Sequence, residues 1–511
     1  MNLRKHSLHR VATFSASLAL VLGAACAGQA ADAADPTVAE LLRRIEALEQ
    51  ALDEVKRGGA SCASATPAAA GAAVDPAVAP ALTPAGAPAS QGAVVAVRKT
   101  SEPVEAAIPP AFVTGYGKNG FGIASADGDY GLRIGGQIEA DGRFFVDDGP
   151  SSDVDQFNIR RARFNFRGVL AKRFAFRMTP EFAGNNVNVL DADIATTFAP
   201  WAVVTVGRLK APFGLERLQT APNLVFMERA LPNNLVPNRD IGLQASGKIG
   251  EGRLEYQFMV ANGAPDGGSS VVDVNDGVDL AARVFATPWV NTMYGPLRGL
   301  GAGLSATWGH EQGKPSSTQL SAYKTSAGST FFSYANDNPA TVAGTTVADG
   351  QRYRLSPQAY WYEGSFGFLT EYVMSSQQLE IGATRGWITN DAWQTQFSYI
   401  LTGEKAAFDG FTPASPFNFG GGGPDGRGWG AWEVAARWSA LDVDPDAFSR
   451  GFADPTKSAR HTDALGLAIN WHLNRHITTM FDYEHVIFGG GNTVGNRTPE
   501  DAFMVRARLV F

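Results

Sequence analysis

From about Gly120 to the final Phe511, apolar and polar residues alternate with a period of two. In the last segment Phe503, Val505, Ala507, Leu509 and Phe511 share one face, and Met504, Arg506, Arg508 and Val510 share the other. Likewise Leu465, Leu467, Ile469, Trp471 and Leu473 oppose Gly466, Ala468, Asn470 and His472. Trp432, Val434, Ala436 and Trp438 oppose Glu433, Ala435, Arg437 and Ser439. Successive side chains of a strand point to opposite sides, so each such stretch is a strand with one apolar face.

A water-soluble sandwich alternates too. Three further features favour a membrane barrel: Trp, Tyr and Phe gather near segment ends, charges occupy the opposite faces, and connections tend to alternate short and long. The pattern accommodates about sixteen strands, an even number as a single-chain barrel requires. The predicted fold is all-β, a 16-stranded antiparallel transmembrane β-barrel over residues 119–511. The outward connections then include 210–239, 263–277, 310–351, 377–390, 442–461 and 489–499. Tight turns fall at Leu170-Ala171-Lys172, Gly250-Glu251-Gly252, Glu363-Gly364 and Asn474. Residues 403–429 break the rule, being long and rich in Gly and Pro where a short turn is due. Either they fold into the lumen or the strand count is off there.

The N-terminal region follows other rules. Arg4, Lys5 and Arg10 precede a short apolar run from Val11 to Ala25 and then small residues, so 1–33 reads as a signal peptide. Cys26 lacks the flanking Leu of a lipid acceptor, and Cys62 alone cannot form an internal disulfide. Val38, Leu41, Ile45, Leu48, Leu52 and Val55 alternate spacings of three and four, the seam of an oligomerising coiled coil over 35–57. Residues 58–110 are an Ala/Pro-rich linker, expected to be disordered.

Composition supports this picture. Glycine is abundant at 57 residues and charged residues are only 18%, which suits many strands and tight turns rather than stacked helices. A net charge of −7 gives no general affinity for nucleic acid.

Specific blocks then carry a likeness. The run Arg160-Arg161-Ala162-Arg163-Phe164-Asn165-Phe166-Arg167-Gly168 resembles an early strand of the phosphate-selective porin O/P family. So does GRLKAPFGLERLQTAPNLVFMERALPNNLVPNRDIGLQASG from Gly207 to Gly247. Trp432 to Leu441 and Leu467 to Val486 are similar as well, and the resemblance spans roughly 119–511. It implies a sixteen-stranded homotrimeric barrel whose Arg- and Lys-lined pore passes phosphate or related anions. The terminal Phe511 resembles the assembly signal read by the barrel-assembly machinery of the Gram-negative outer membrane. The coiled coil and linker are outside the likeness and are expected in the periplasm, supporting the trimer.

Parity indicates which cations reach the lumen. With Ala162, Phe164 and Phe166 on lipid, Arg161, Arg163 and Arg167 point inward; with Phe174, Phe176 and Phe182 on lipid, Arg173 and Arg177 do. Arg133 and Arg143 oppose Leu132, Ile134 and Ile138. Together they form one basic wall. Arg160 is in conflict, since the family motif makes it a pore residue while parity puts it on the lipid side unless a bulge intervenes. Lys210 enters the third outward loop and resembles a pore-reaching position; Arg208 shares its parity on a weakly alternating strand. Acids also face inward, among them Asp191, Asp193, Glu255, Asp279, Glu433, Asp482 and Glu484.

The expected function is an outer-membrane porin with a water-filled, anion-selective channel for phosphate or polyphosphate. The alternatives are a general or cation-preferring diffusion porin, and a structural tether acting through the coiled coil. No catalytic group, cofactor or metal site is expected. His472, His476 and His485 lack a completing carboxylate or cysteine. Asp442, Asp444 and Asp446 imitate a calcium loop, but Ala447 and Ala453 stand where its Gly and Glu belong. The glycines at 420–423 lack the Lys and Ser/Thr of a phosphate-binding loop.

Overall fold

The computed structural model describes residues 112–117, 120–146, 154–270, 276–292, 295–337, 342–418 and 428–511. The expected signal peptide, coiled coil and linker lie outside the described residues. The alternating pattern resolves into β1 (Phe112–Gly117), β2 (Gly120–Ser125), β3 (Gly131–Phe145), β4 (Gln156–Leu170), β5 (Phe174–Glu181), β6 (Asn188–Ala199) and β7 (Ala202–Lys210). Next come β8 (Arg239–Ile249), β9 (Leu254–Ala261), β10 (Asp279–Ala286), β11 (Leu300–Gln312), β12 (Tyr323–Lys324) and β13 (Thr330–Phe332). The chain ends with β14 (Val347–Glu363), β15 (Phe366–Ile381), β16 (Thr384–Ile400), β17 (Ala431–Asp442), β18 (Ala459–His472), β19 (Ile477–Gly490) and β20 (Glu500–Val510).

Sixteen of these form a closed ring in which β3 to β11 and β14 to β20 each pair antiparallel with the next, and β20 pairs with β3. Closure leaves the ring without an edge, so its backbone donors and acceptors are met inside the wall, as a hydrocarbon surround demands. The hairpin of β1 and β2 pairs with the start of β3, beyond the level where β20 ends. Phe164, Leu243, Trp438 and Leu467 point outward and are about half exposed, while inward Gln358, Gln394 and Arg506 are buried. The wall therefore inverts a soluble protein, apolar outside and polar within.

At one end the chain turns tightly, as at 171–173, 250–253, 364–365 and 473–476. Lys172 and Glu251 there take positive φ of 60° and 59°. At the other end the connections are long, including 211–238, 313–346 and 443–458. The expected outward loop 377–390 is corrected: β15 and β16 pair continuously from Phe366↔Tyr399 to Ile381↔Thr384 and turn at Gly382. This hairpin stands tall because its inner face is covered. Val373, Leu379, Ile388 and Ala392 pack on Phe213, Leu235, Tyr323, Phe332 and Phe452 from the long connections, an apolar core inside one side of the barrel.

Within the irregular stretch between β16 and β17, residues 408–411 fold into the lumen, and the strand count stands. The Phe408 ring stacks on inward-facing Tyr360 at 5.2 Å, and Phe411 meets inward-facing His472 edge-on at 4.6 Å. The Gln219 side-chain amide, from the loop between β7 and β8, donates to the Phe408 carbonyl at 2.8 Å. Segments entering from opposite ends thus touch inside the barrel.

Candidate functional site

Strand register places the arginines in rows. Arg133 pairs across β3–β4 with Arg167, and Arg167 across β4–β5 with Arg177. Arg177 faces Asp193 and donates to it at 2.9 and 2.7 Å, whereas Arg133 and Arg167 are exposed and make no ion pair among the described residues. One level on, Arg163 donates to Glu181 at 2.5 Å. In the next row Arg161 and Arg508 both bind the buried carboxylate of Glu139, and beyond it Arg506 grips Asp141 with two bonds of 2.7 Å. Arg143 donates to the Ala327 carbonyl at 2.6 Å. Arg173 precedes β5 in an exposed turn. The wall is therefore a mixed array, with its acids interleaved.

Arg160 faces the lumen because the strand carries a bulge. Glu139 is opposite Arg161 and Ala140 opposite Ile159, leaving Arg160 as the extra residue on β4. Such an insertion lets two consecutive side chains share a face. Arg160 uses this to donate to Glu228 at 2.6 and 3.0 Å.

Glu228 sits in the loop between β7 and β8, which folds inward across the wall. Arg506 lies 2.9 Å, Arg143 3.4 Å and Arg161 3.5 Å from its carboxylate, besides Arg160. Burial alone would raise its pKa, but the charges of Arg161, Arg160 and Arg506 hold it well below the usual carboxylate range. The same loop carries Arg217 and Arg229, which make no ion pair among the described residues. Arg217 donates to the Asn233 carbonyl at 2.9 Å, and Arg229 to the carbonyls of Glu216 and Gln219 at 3.0 and 2.8 Å. Burial, reinforced by the charge of Arg239, pushes the Arg217 guanidinium down to about 10. Burial and the charge of Arg217 push Arg229 down to about 9. Both shifts follow first from burial and then from neighbouring guanidinium charge, a setting in which a bound oxyanion would stabilise the charged forms.

These groups border a vestibule of about 930 Å³. Its lining includes the cations Arg143, Arg160, Arg217, Arg229, Lys324 and Arg497 and one acid, Glu228, with Ser321, Ser326 and Ser329 supplying hydroxyls. Arg161, Arg163, Arg167 and Arg133 lie outside that lining, on the wall. Lys210 is tied to the carbonyls of Arg217, Leu218 and Gln219 at 2.7, 3.1 and 3.1 Å, where it holds the loop in place. Arg208 falls on the row of outward-facing Val204 and Val206 and donates to the Val189 carbonyl at 2.9 Å.

Parity applied to β20 would have added Arg506 and Arg508, which face the lumen opposite Asp141 and Glu139. Glu228, Arg217 and Arg229 lie in a loop with no period to read, and only their presence in the FGLE…FMERALP block marked them. The histidines are dispersed: His472 is 3.3 Å from Glu433, His485 2.8 Å from Asp501, and His476 bonds the Val510 carbonyl. Asp444 accepts from the backbone N–H groups of Thr389 and Asp446, bracing its loop. Among the described residues no group of three or more His, Cys, Asp or Glu is placed to hold a metal.

The family model for phosphate-selective porins O and P matches residues 132–508, nearly the whole barrel. The chain belongs to the phosphate-selective porin O/P family. It is an outer-membrane porin, a channel protein whose match includes every arginine of the wall and vestibule. Porin O of Pseudomonas aeruginosa is 21% identical over 434 residues, covering 77% of this chain and 91% of its own length. An uncharacterized protein of Caulobacter vibrioides is 24% identical over 457 residues, covering 86% and 82%. Among solved structures, the channel DcaP of Acinetobacter baumannii is similar at a TM-score of 0.47 and 11% identity, covering 76% of this chain and 99% of that one. An anion-selective porin from Comamonas acidovorans is similar at 0.44 and 12%, covering 75% and 100%.

Proposed function

We propose that this porin-O/P member passes phosphate-like oxyanions through the vestibule and along the arginine rows. The observation that carries the reading is the pairing state of the cations. Most wall arginines are neutralised by Glu139, Asp141, Glu181 or Asp193, whereas Arg217 and Arg229 line the cavity bonded to backbone carbonyls, with no ion pair among the described residues. An anion entering there exchanges water for guanidinium forks, whose planar donors match phosphate oxygens in pairs. It then meets Arg167 and Arg133, solvated and without carboxylate partners, on the way out. Affinity falls along this path from buried to hydrated donors, as conduction needs.

The native assembly in this reading is a homotrimer in the outer membrane. Residues 1–33 are removed on export, and the coiled coil over 35–57 stands in the periplasm behind the 58–110 linker. Reversal potentials in a potassium chloride gradient across planar bilayers test the selectivity, with an anion-preferring sign expected. Chloride current inhibited by added inorganic phosphate is the second expected result. A cation-preferring sign overturns the reading in favour of a general porin.

A further inference from the structure

Glu228 is out of place on electrostatic grounds in a pore that selects anions. It is the one acid among the vestibule lining, and it lies among guanidinium groups of three barrel strands: Arg143 on β3, Arg160 and Arg161 on β4, Arg506 on β20. Its two oxygens both engage Arg160, and Arg506 shares one of them at 2.9 Å. That is the arrangement a bound oxyanion would have, with several donor forks converging on two acceptors. The backbone supports the carboxylate in this position, since the Met227 N–H donates to Asp482 at 2.7 Å and the Glu228 carbonyl accepts from Arg437 at 2.8 Å.

We infer that Glu228 is a specificity-determining residue of the channel, a tethered carboxylate that occupies the oxyanion position of the arginine cluster so that solute anions bind in the vestibule only in competition with it. Glu139 and Asp141 neutralise part of the cluster from the wall. Without Glu228 as well, the four guanidinium groups would hold phosphate more tightly, whereas conduction requires binding weak enough to leave. Each departing anion is replaced by the Glu228 oxygens, so the cluster is never left bare. This rests on the vestibule being the anion path.

Two variants in planar bilayers, made in the full-length porin, test it. Glu228→Gln removes the competing charge, and inorganic phosphate is expected to block chloride current at about a tenfold lower concentration, the scale of one charge-assisted hydrogen bond. The reversal potential should also move further to the anion side. Glu228→Asp keeps the charge but shortens the arm, so a smaller tightening is expected, about threefold. If Glu228→Gln fails to reach the folded barrel, Glu228→Asp carries the test alone. A residue that only pinned the loop would act with the opposite sign, since a loosened loop widens the pore and weakens the block. Block unchanged or weakened in either folded variant, with an anion-preferring wild type, overturns the role of Glu228. A cation-preferring wild type overturns the vestibule reading itself.

Discussion

The ring of Phe511 lies directly over the α-carbon of Gly136, and the two residues exchange backbone hydrogen bonds of 2.8 and 3.0 Å. A Cβ at position 136 would stand 2.3 Å from the ring tip, so any larger residue must displace the ring. Phe121 and Phe164 flank the ring at 6.4 and 6.3 Å. Gly136→Val should expel the ring and impair closure of β20 on β3. Most of the protein is then expected in the unfolded band of an unheated gel, with Gly136→Ala intermediate and Phe511→Tyr near wild type.

Charge removal at Arg217 and Arg229 should act on solute more than on fold, since their guanidinium groups bond to carbonyls and make no ion pair among the described residues. Each Gln variant is expected to weaken phosphate block by about tenfold. Titration of chloride current with phosphate measures it, and an unchanged block in both variants would remove these residues from the path.

Arg161 and Arg163 require a different expectation. Loss of Arg163 would strand Glu181 in the wall, and removing one partner of a buried pair costs about 3–5 kcal/mol. Loss of Arg161 would take from Glu139 one of its arginine partners, leaving Arg506 and Arg508. The Arg161/Arg163 double Gln variant should therefore lower folded yield as well as selectivity. Arg133 and Arg167 strand no acid, so their double Gln variant should fold normally and shift the reversal potential toward neutrality. Equal yields for the two doubles would contradict this division.

The stretch between β16 and β17 fills lumen space with Phe408 and Phe411. Excising residues 406–428 in favour of a short turn should raise single-channel conductance, since the aromatic side chains would no longer occupy the lumen. Phe408→Ala should give a smaller rise, and conductance equal to wild type in the excised protein would show the stretch to lie off the path.

Acid should leave the pore quiet. Because the Glu228 pKa is depressed in the folded pore, the tie by which it holds its loop to the wall arginines is fully present above the ordinary carboxylate value and is lost only as pH falls through the lowered one. Open-channel noise is therefore expected to match between about pH 7 and pH 4 and to grow only at more acidic values. Flicker that sets in near pH 5 would argue against the anchoring role.

The barrel was legible because strands whose two faces meet lipid and water announce themselves by parity, as Phe503 to Phe511 did. The same arithmetic oriented Arg133, Arg163, Arg167 and Arg177. It failed where the chain leaves regular pairing. The height of the β15–β16 hairpin was hidden because its upper half meets an apolar lumenal core, so both faces read as if buried. Arg217, Glu228 and Arg229 sit on a loop whose path is set by contacts far away in sequence, such as Met227 to Asp482. No local period encodes those contacts.

The bulge at Arg160 has a genetic corollary. With two consecutive arginines facing the lumen between outward Ile159 and outward Ala162, removing either codon would leave one inward arginine in an unbroken alternation. All other side chains of β4 would keep their side of the wall. A single in-frame deletion can thus subtract one unit of pore charge while sparing the architecture, which makes this dipeptide a place where selection can adjust ion preference in one step.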